Sequence, residues 1–468
     1  MDFAHHFPAS TLREYDIRGI VGETLHSADA FAIGRCFGSL IARAGGSRVA
    51  VGRDGRLSSP SLSAALIDGL MASGMQVLDI GCGPTPMLYF AATTENMDGA
   101  VMVTGSHNPA NYNGFKMMRG KKPFFGADIQ ALGQMAAAGD VVAQTTGRCV
   151  RRDVSEAYVA RIAQDWQGGT VRLKIVWDPG NGSAGDVLAD LVKRLPGEHL
   201  IINGTIDGRF PAHHPDPTVP RNLEQLMTAV RKRGADIGIA FDGDADRIGL
   251  VDDTGEILFG DQFLILLARD VLMRQPGATI IADVKASQTL FDEVKAAGGV
   301  PLMWKTGHSL IKAKMAETGA PLAGEMSGHI FFADHWFGFD DALYAAVRVL
   351  NALIASGASL STFRRGLPPV LNTPELRFDC VEDRKFAVVE EVAARLRADG
   401  ASVTETDGVR VNTEDGWWLL RASNTQAVLV ARAEAHSPEG LQRLKSVLAT
   451  QLAASGLAPD FSGSNEGH

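Results

Sequence analysis

Cysteine is scarce in this sequence. Its 468 residues include four cysteines, Cys36, Cys82, Cys149 and Cys380, which lie far apart and form no Cys-x-x-Cys pair. Without such a pair we interpret the thiols as buried or incidental, which suits a reducing compartment. We therefore expect a cytoplasmic protein.

Long apolar runs and an excess of positive charge are also absent. No run approaches the roughly 18 apolar residues that a membrane-spanning helix requires, and the N-terminal Met-Asp-Phe-Ala-His-His lacks the basic and apolar regions of a signal peptide. The formal net charge of −9 argues against a nucleic-acid surface, which needs a basic face. It does not exclude a small anionic ligand, because local cations can dominate inside a cleft. We expect neither a membrane nor a nucleic-acid partner.

Length and composition indicate a globular protein of several domains. Hydrophobic residues make up 45% of the chain and charged residues 21%, and 468 residues exceed one ordinary core. Strand–loop–helix units repeat along most of the chain, which predicts largely parallel sheets covered on both faces. After residues 367–370 the pattern changes to that of an antiparallel α+β domain. We predict α/β domains at 1–150, 151–253 and 254–366, and an α+β domain at 367–468.

A serine stands on a tight loop at the end of a predicted strand. The apolar run Ala100–Val103 predicts a buried strand, and Thr-Gly-Ser-His-Asn-Pro follows it. Gly105 permits unusual backbone angles beside Ser106, and Pro109 prevents a helix from starting there. A rigid strand followed by an open loop often presents a nucleophile. Read alone, however, these residues are more typical of an ordinary Ser/Asn turn.

Three aspartates, Asp242, Asp244 and Asp246, alternate directly after another apolar run. In an extended segment this spacing would point the three carboxylates to one side, where they would repel one another unless a cation joined them. Oxygen ligands favour a hard ion such as Mg²⁺ or Ca²⁺. An EF-hand does not fit, because Arg247 replaces its glycine and Asp253 its bidentate glutamate. The alternative is a solvated acidic turn.

Two further polar loops follow predicted strands. In the first, Glu325, Ser327 and His329 alternate, and an acceptor beside a hydroxyl on a common side suits hydrogen bonding to sugar hydroxyls. The second, at 421–426, offers a guanidinium, two hydroxyls, an amide and backbone N–H groups, which is a phosphate-binding set without a metal. Read alone, the first is more typical of a solvated turn, and the second is equally typical of a capped turn.

Taken together and in this order, the motifs resemble those of the α-D-phosphohexomutases, most closely the bacterial phosphomannomutase/phosphoglucomutase branch. The resemblance runs nearly from end to end. The segments that carry it are Arg13–Gly19, Thr104–Ala110, Phe241–Arg247, Lys305–His308, Gly324–His329 and Arg421–Gln426.

The resemblance implies both a fold and an activity. The fold would be three related mixed-sheet α/β domains and a C-terminal α+β domain around a central cleft. The activity would be that of an isomerase of carbohydrate metabolism, a phosphohexomutase acting on small phosphosugars, namely the α-D-mannose and glucose phosphates. A phosphoserine at Ser106 would donate its phosphoryl group to form a hexose 1,6-bisphosphate, which would also serve as activator. The expected metal cofactor is Mg²⁺, and the expected state is a monomer or dimer.

The resemblance also assigns roles to residues of this chain. The metal would be held by the three aspartates together with Ser106. The catalytic group would comprise Ser106, His107, Lys116, Arg18 and His329, of which Arg18, Lys116 and His329 are candidates for proton transfer. Substrate would be bound by Tyr15, Arg247, Lys285, His308, Glu325, Ser327, Arg421, Ser423, Asn424 and Thr425.

Three alternative functions remain open at this point. A phosphoglucosamine mutase is disfavoured, because that branch usually carries glutamine where this chain has Met326, and Pro-Ser-Gly-Thr where it has Ala-Ser-Asn-Thr at 422–425. A phosphosugar-binding protein would be expected if Ser106 or an aspartate were missing. A metal-dependent phosphatase would transfer the phosphoryl group to water instead of sugar.

Overall fold

The computed structural model describes residues 3–424, 426–458 and 461. These residues form four sheets, each covered by its own helices, and we name the four units module 1 to module 4 in chain order. Modules 1 to 3 combine parallel and antiparallel pairs, whereas every pair in module 4 is antiparallel. The predicted fold class, mixed α/β units followed by an α+β unit, is confirmed.

Module 1 has the largest sheet, with seven strands in the order β1-β5-β4-β2-β3-β7 and β6 paired with β5. Its strands are β1 (Ile17–Ile20), β2 (Arg48–Arg53), β3 (Gln76–Cys82), β4 (Gly99–Val103), β5 (Tyr112–Arg119), β6 (Lys122–Phe124) and β7 (Arg148–Arg151). Its helices are α1 (Ser27–Arg43), α2 (Ser59–Ala72), α3 (Thr85–Thr94) and α4 (Ala127–Ala137).

The central strand β4 shows how this sheet is packed. Val101 and Val103 belong to one apolar core, which includes residues of α1, α2 and α4, whereas Ala100 and Met102 belong to another, which includes α3. All five residues of β4 are buried. A strand covered on both faces needs apolar side chains at consecutive positions, which explains the unbroken apolar run. The loop that carries Ser106 therefore leaves a rigid strand.

Module 2 has a five-stranded sheet in the order β12-β11-β10-β8-β9, in which β8 pairs in parallel with β9 and β10. Its strands are β8 (Leu173–Asp178), β9 (Gly197–Ile201), β10 (Ile237–Phe241), β11 (Ile248–Asp252) and β12 (Ile257–Leu258). Its helices are α5 (Ser155–Ala163), α6 (Gly185–Val192) and α7 (Glu224–Arg233). The hairpin between β10 and β11 carries the three aspartates.

Module 3 has a four-stranded sheet in the order β14-β13-β15-β16, with only the last pair antiparallel. Its strands are β13 (Thr279–Asp283), β14 (Val300–Trp304), β15 (Leu322–Gly324) and β16 (Ile330–Phe332). Its helices are α8 (Gly260–Arg274), α9 (Gln288–Ala296), α10 (His308–Thr318), α11 (Ala342–Ser356) and α12 (Leu360–Gly366). The turn between β15 and β16 contains Glu325 and Ser327.

Module 4 is antiparallel throughout, in the order β17-β22-β21-β20-β19, with β18 also paired to β22. Its strands are β17 (Leu371–Asn372), β18 (Leu376–Asp379), β19 (Ser402–Thr404), β20 (Val409–Thr413), β21 (Gly416–Ala422) and β22 (Val428–Ala435). Its helices are α13 (Lys385–Ala398) and α14 (Pro438–Ala454). The Ser437 hydroxyl caps α14 by accepting from Gly440 N at 3.0 Å.

The described residues contain no single helix that is both long and apolar enough to cross a membrane. Helices α11 and α12, which are bent by 78° relative to each other, satisfy the length and composition expected of a membrane span only when they are taken together. Twelve of the fifteen residues of α11 are buried inside the protein, so its apolar character reflects core packing.

Candidate active site

The serine loop turns sharply at the residue that it presents. Ser106 has a φ of 48°, in the left-handed region that few residues other than glycine adopt. Its N–H donates to the Thr104 hydroxyl at 2.8 Å. Its Oγ donates to Asp242 Oδ2 at 3.0 Å and lies 3.3 Å from Nδ1 of His107. Module 1 thus places a buried hydroxyl against the aspartates of module 2.

The three aspartates converge, but not in the way that their spacing predicted. Asp242, Asp244 and Asp246 are each fully buried, and one oxygen from each lies within 4.8 Å of the others. The segment is a tight turn instead of an extended strand, because Ala245 has a φ of 54°. The N–H groups of Asp246 and Arg247 bond back to Asp242 Oδ1 at 3.1 and 3.2 Å. The prediction of an extended segment was wrong, although its consequence, a carboxylate cluster, is present.

A buried lysine balances part of this negative charge. Lys116, on β5, donates to Asp244 Oδ2 at 2.7 Å and also to Asp246 Oδ2. Burial opposes the charge on Lys116, but the two carboxylates outweigh it and hold its pKa well above the ordinary value. Burial likewise opposes ionisation of Asp244, yet the Lys116 ammonium and the Thr85 hydroxyl hold the pKa of that carboxyl below its ordinary range. Lys116 therefore acts as a fixed cation.

The aspartate cluster fits a divalent metal ion. Oδ1 of Asp244 and Oδ1 of Asp246 are buried and have no hydrogen-bond partner among the described residues. Burial and the neighbouring carboxylates of Asp244 and Asp246 raise the pKa of Asp242 well above its ordinary value. Oxygen ligands of this kind suit a hard cation. The group is thus a candidate metal site that Ser106 directly contacts.

His329 connects this cluster to module 3. Its Nε2 accepts a hydrogen bond from Nε of Arg247 at 2.9 Å, and its Nδ1 lies 3.0 Å from Oδ2 of Asp340. Its ring stacks on His308, the first residue of α10, with centroids 5.5 Å apart. Lys312, one turn further along α10, donates to Asp340 Oδ1 at 3.0 Å. Arg247, His308 and His329 thus meet beside the aspartates.

Glu325 and Ser327 lie on a turn between β15 and β16. The Gly328 N–H donates to Glu325 O at 3.0 Å and closes the turn, so Glu325, Ser327 and His329 do not alternate along a strand. Glu325 is buried and accepts from Gly307 N at 2.6 Å, whereas Ser327 is half-buried. The alternation in the sequence is therefore that of a turn and not of a strand. The turn does keep Glu325 and His329 together, with Oε2 of Glu325 4.0 Å from Nε2 of His329.

Arg18 reaches the serine loop from the strand beside it. On β1, its guanidinium donates to the carbonyl of Gly105, to Asp16, and to Asn108 Oδ1 at 2.8 Å. His107, next in the loop, is half-buried. Burial and the positive charges of Arg247 and Arg18 hold the pKa of His107 well below its ordinary value, so its ring is neutral.

Tyr15 joins three modules. Its hydroxyl donates to the carbonyl of Thr306 in module 3 at 2.8 Å and accepts from Nδ2 of Asn424 in module 4. The ring also packs edge-on against His308, with centroids 6.2 Å apart. The Lys-Thr-Gly-His and Arg-Ala-Ser-Asn segments, predicted separately, are therefore brought to the same place.

Arg421 is held in place but keeps a free donor. Its Nε donates to Asp407 Oδ2 at 2.9 Å, and the same oxygen accepts from Thr306 N at 3.0 Å. Nη2 of Arg421 is buried without a hydrogen-bond partner among the described residues. Ser423 is buried nearby in sequence, and its Oγ accepts from Gln426 N at 3.2 Å. Thr425, the remaining predicted residue of this loop, lies outside the described residues.

Lys285 is paired across the boundary between modules 3 and 4. Its Nζ lies 3.2 Å from Oε2 of Glu375. Burial opposes ionisation of Glu375, but Lys285 and Arg377 outweigh it and lower the pKa of Glu375 to about 2. Lys285 itself is buried, with 8% of its surface exposed.

Sequence reasoning missed several residues that hold the predicted ones. Thr85 donates to Asp244, Asp340 contacts His329, and Asp407 orients Arg421. None stands in a motif that indicates chemistry. For Asp340, the acidic pair that ends the aromatic segment at 334–341 was a weak signal.

Protein-family models match nearly the entire length of the chain. Four family models match in succession, each described as a phosphoglucomutase/phosphomannomutase domain. They are α/β/α domain I at residues 9–139, α/β/α domain II at 156–255, α/β/α domain III at 259–370 and the C-terminal domain at 375–451. The chain belongs to the phosphoglucomutase/phosphomannomutase family. The prediction of a mutase of the α-D-phosphohexomutase superfamily is therefore confirmed.

Individual relatives match over nearly their full length. A phosphomannomutase/phosphoglucomutase of Pseudomonas putida is 46% identical, with 95% of this chain and 96% of the relative covered. A phosphoglucomutase of Neisseria gonorrhoeae is also 46% identical, with 93% and 95% covered. Among solved structures, a phosphoglucomutase/phosphomannomutase family protein of Burkholderia thailandensis is 44% identical, with a TM-score of 0.91 and coverage of 97% and 99%.

Proposed function

We propose that this enzyme interconverts hexose 1-phosphate and hexose 6-phosphate, for mannose and glucose, through a phosphoserine at Ser106. The observation that carries the proposal is the approach of Ser106 Oγ to within 3.0 Å of Asp242 Oδ2, in a buried cluster of three carboxylates. A hydroxyl held beside a metal-type site can carry a phosphoryl group, since transfer depends mainly on positioning and charge stabilisation. The names of the relatives support mannose and glucose over glucosamine.

In the proposed reaction the phosphoryl group moves from Ser106 Oγ to a sugar hydroxyl. The Ser106 Oγ–P bond breaks and a P–O bond to the sugar forms. The sugar hydroxyl gives its proton to a base of the site, and Ser106 Oγ takes up a proton as it leaves. The bisphosphate then turns in the site and returns its other phosphoryl group to Ser106. A bisphosphate supplied from solution would phosphorylate an idle Ser106 in the same way, which explains its proposed role as activator.

Asp242, Asp244 and Asp246, with the phosphate on Ser106, are proposed to hold Mg²⁺. The ion supplies Lewis-acid stabilisation of charge on the transferring phosphoryl group. Lys116 remains protonated between two of the carboxylates and keeps them in place. Arg247 is close enough to the metal loop to bind the reacting phosphate by paired N–H donors.

His329 is the proton acceptor that the geometry favours. Because a guanidinium can only donate, Nε2 of His329 carries the lone pair that accepts from Arg247. Once Arg247 turns to a phosphate, that nitrogen is available to take the hydroxyl proton. Lys116 is less suited, since its carboxylate partners keep it charged. Arg18 and His107 are proposed to orient the serine loop and the phosphate.

The non-reacting phosphate is proposed to bind at Arg421, Ser423, Asn424 and Thr425. The free Nη2 of Arg421 supports this assignment, because a buried donor without a partner is costly until a ligand supplies one. Sugar hydroxyls are assigned to Glu325 and Ser327. The remaining proposed substrate contacts are made by Lys285, His308 and Tyr15. Tyr15 is included because it lies where modules 1, 3 and 4 meet.

Some predictions beyond chemistry remain proposals. These are a cytoplasmic location, a monomeric or dimeric state, and domain bounds at 1–150, 151–253, 254–366 and 367–468.

A single assay distinguishes the proposed function from its alternatives. Purified enzyme with Mg²⁺ and a trace of glucose 1,6-bisphosphate would be mixed with glucose 1-phosphate or mannose 1-phosphate and followed by phosphorus NMR. The proposal predicts conversion of each to its 6-phosphate. Release of inorganic phosphate would indicate a phosphatase, and binding without turnover would indicate a binding protein. Turnover of glucosamine 1-phosphate in preference to both hexoses would indicate the phosphoglucosamine branch.

A further inference from the structure

A buried arginine lies directly beneath the serine loop. Arg56 follows β2 and is 1% exposed. Its Nη2 donates to the carbonyls of Ser106 at 2.8 Å and Asn108 at 2.6 Å. Its Nη1 donates to the carbonyls of Tyr112, at 3.0 Å, and Pro109. One guanidinium thus binds four carbonyl groups of a seven-residue segment, all of them in or just after the serine loop.

Asp54 binds hydrogen-bond donors of the same loop. Its Oδ2 accepts from the Thr104 hydroxyl and from the Gly105 N–H, each at 2.9 Å. The same oxygen accepts from Nε of Arg56 at 3.2 Å, and Asp54 is only 2% exposed. The loop's N–H side is therefore bound by a carboxylate and its carbonyl side by the guanidinium paired with it.

The fit between Arg56 and the loop leaves no spare room. A Cβ added at Gly105 would lie 2.2 Å from Cζ of Arg56, so only glycine allows the guanidinium to approach. Ser106 adopts its left-handed φ directly above this contact. An unfavourable backbone conformation persists only where its surroundings fix it, and here the guanidinium fixes the carbonyl of that residue.

Module 2 covers the other side of Arg56. The Phe210 ring lies 5.0 Å from its guanidinium carbon, and a Cβ at Gly208 would lie 2.5 Å from its Cα. Module 2 also supplies the aspartates that Ser106 faces. Arg56 is therefore held between the module that carries the serine and the module that carries the metal loop.

We propose that Arg56, held by Asp54, is a positioning residue that fixes the backbone of Ser106 and so directs its Oγ toward the aspartate cluster. It touches neither substrate nor the reacting atoms. This inference rests on the proposed function, in which Ser106 carries the phosphoryl group. Loss of Arg56 should slow phosphoryl transfer in both directions but leave substrate affinity at the Arg421 loop unchanged.

The test compares Arg56→Ala with a matched variant, Arg35→Ala. Arg35 is also a buried arginine of module 1 that donates to backbone carbonyls, those of Ala72 and Val142, but it does not contact the serine loop. We expect both variants to lose thermal stability. Only Arg56→Ala should lose kcat, by about 100-fold as expected for a misplaced nucleophile, with KM changed less than about threefold. Added guanidinium ion should restore part of the kcat of Arg56→Ala alone.

Gly105→Ala gives a second route if Arg56→Ala does not fold. This variant retains Arg56, but the added Cβ pushes the guanidinium away from the loop. We expect the same loss of kcat at constant KM. Arg56→Lys should not recover activity, because one ammonium cannot reach four carbonyls in the plane of a guanidinium.

The outcomes separate the two proposals. Phosphorylation of Ser106 by glucose 1,6-bisphosphate would be followed by mass spectrometry in each protein. If wild-type Ser106 is phosphorylated and folded Arg56→Ala or Gly105→Ala matches Arg35→Ala in kcat, the positioning role is wrong while the proposed function stands. If wild-type Ser106 accepts no phosphate, the proposed function itself fails, and this inference fails with it.

Discussion

The two ends of the site are built on different principles. At the reacting end, Ser106 and the three aspartates are buried and already joined to one another and to Lys116. At the holding end, Arg421 keeps a donor that no described residue pairs with, and the contacts run between modules through Tyr15. The reacting end is already assembled from buried, mutually bonded groups, as catalysis by preorganised groups requires. The holding end depends on how modules 1, 3 and 4 meet.

This difference follows from what each end must do in the proposed reaction. One end must align a nucleophile, a metal site and a phosphoryl group in every turnover. The other must bind the phosphate of a 1-phosphate and then that of a 6-phosphate, so it must accept either end of the sugar. We therefore expect changes at the reacting end to abolish turnover, and changes at the holding end to weaken binding equally in both directions.

The largest effect is expected for Ser106→Ala, which removes the proposed phosphoryl carrier. Turnover should fall by at least about 1000-fold, since removal of a nucleophile leaves only binding and residual charge stabilisation. Thermal melting should stay close to that of the wild type. Phosphoprotein analysis should find phosphate on Ser106 alone in the wild type. It should find phosphate on no residue of the variant. Substantial activity in the variant would contradict the role of this serine.

The metal ligands come next, because substitution of one of three ligands should do less than loss of the serine. Chelation should abolish turnover, and Asp244→Asn should weaken Mg²⁺ affinity by more than about tenfold, because affinity follows the number of ligand charges. Titration calorimetry with Mg²⁺ measures this directly. Asp253→Asn is the matched control, since Asp253 bonds to Ser361 and lies outside the cluster. Full activity in excess chelator would disprove the metal site.

At the holding end, Arg421→Ala should weaken both substrates to a similar degree. Losing one charge-assisted phosphate contact costs about 1.5–3 kcal/mol, or about ten- to a hundredfold in affinity. Phosphorylation of Ser106 by bisphosphate should be affected less, because the bisphosphate retains its contacts with the reacting end. Forward and reverse steady-state kinetics give the measurement.

Arg443→Ala supplies the comparison for that prediction. Arg443 belongs to helix α14 of the same module, and it pairs with Asp415 at the surface. It lies outside the loop at 421–426. It should leave both KM values unchanged. Impairment of Arg421→Ala in one direction only would show that the two substrates do not share this site.

The smallest effect concerns the ion pair that links modules 3 and 4. Burial raises and Lys285 lowers the pKa of Glu375, with a net value of about 2, below the ordinary 4.5. A carboxyl whose pKa is lowered by folding contributes stability above its unfolded pKa and loses it as the pH falls toward the folded value. Glu375→Gln should thus lower the melting temperature at pH 6, and the difference from wild type should shrink between pH 4.5 and pH 3. A difference independent of pH would contradict the ion pair's role.

Sequence alone predicted the chemistry of the reacting end better than its shape. The strand before Ser106 and the cluster of Asp242, Asp244 and Asp246 were predicted, because apolar runs and repeated carboxylates leave direct signals. The turn at Ala245 was not, since φ at a non-glycine residue depends on tertiary contacts. The predicted roles of these residues stay predictions until the experiments above are done.

Other features left no signal in the pattern of residues. Helix α3 is apolar on nearly every side, with eight of its ten residues buried, so it lacks the periodicity of a surface helix. Of the partners that orient the site, Thr85 lies 159 residues from Asp244, and Asp340 and Asp407 lie outside the loops that carry His329 and Arg421. Pairing over such distances is decided by the fold. The resemblance to a known family identified the residues of the named motifs. It did not identify Thr85, Asp340 and Asp407, which hold those residues in place.

The most direct test of the account follows the phosphoryl group itself. Enzyme carrying ¹⁸O-labelled phosphate on Ser106 would be mixed with unlabelled glucose 1-phosphate, quenched within one turnover, and both sugar and protein analysed by mass spectrometry. The account predicts that the label appears at the 6-position of the sugar, first in the bisphosphate and then in glucose 6-phosphate, while unlabelled phosphate from the 1-position replaces it on Ser106. Label retained on the protein, or released as inorganic phosphate, would contradict it.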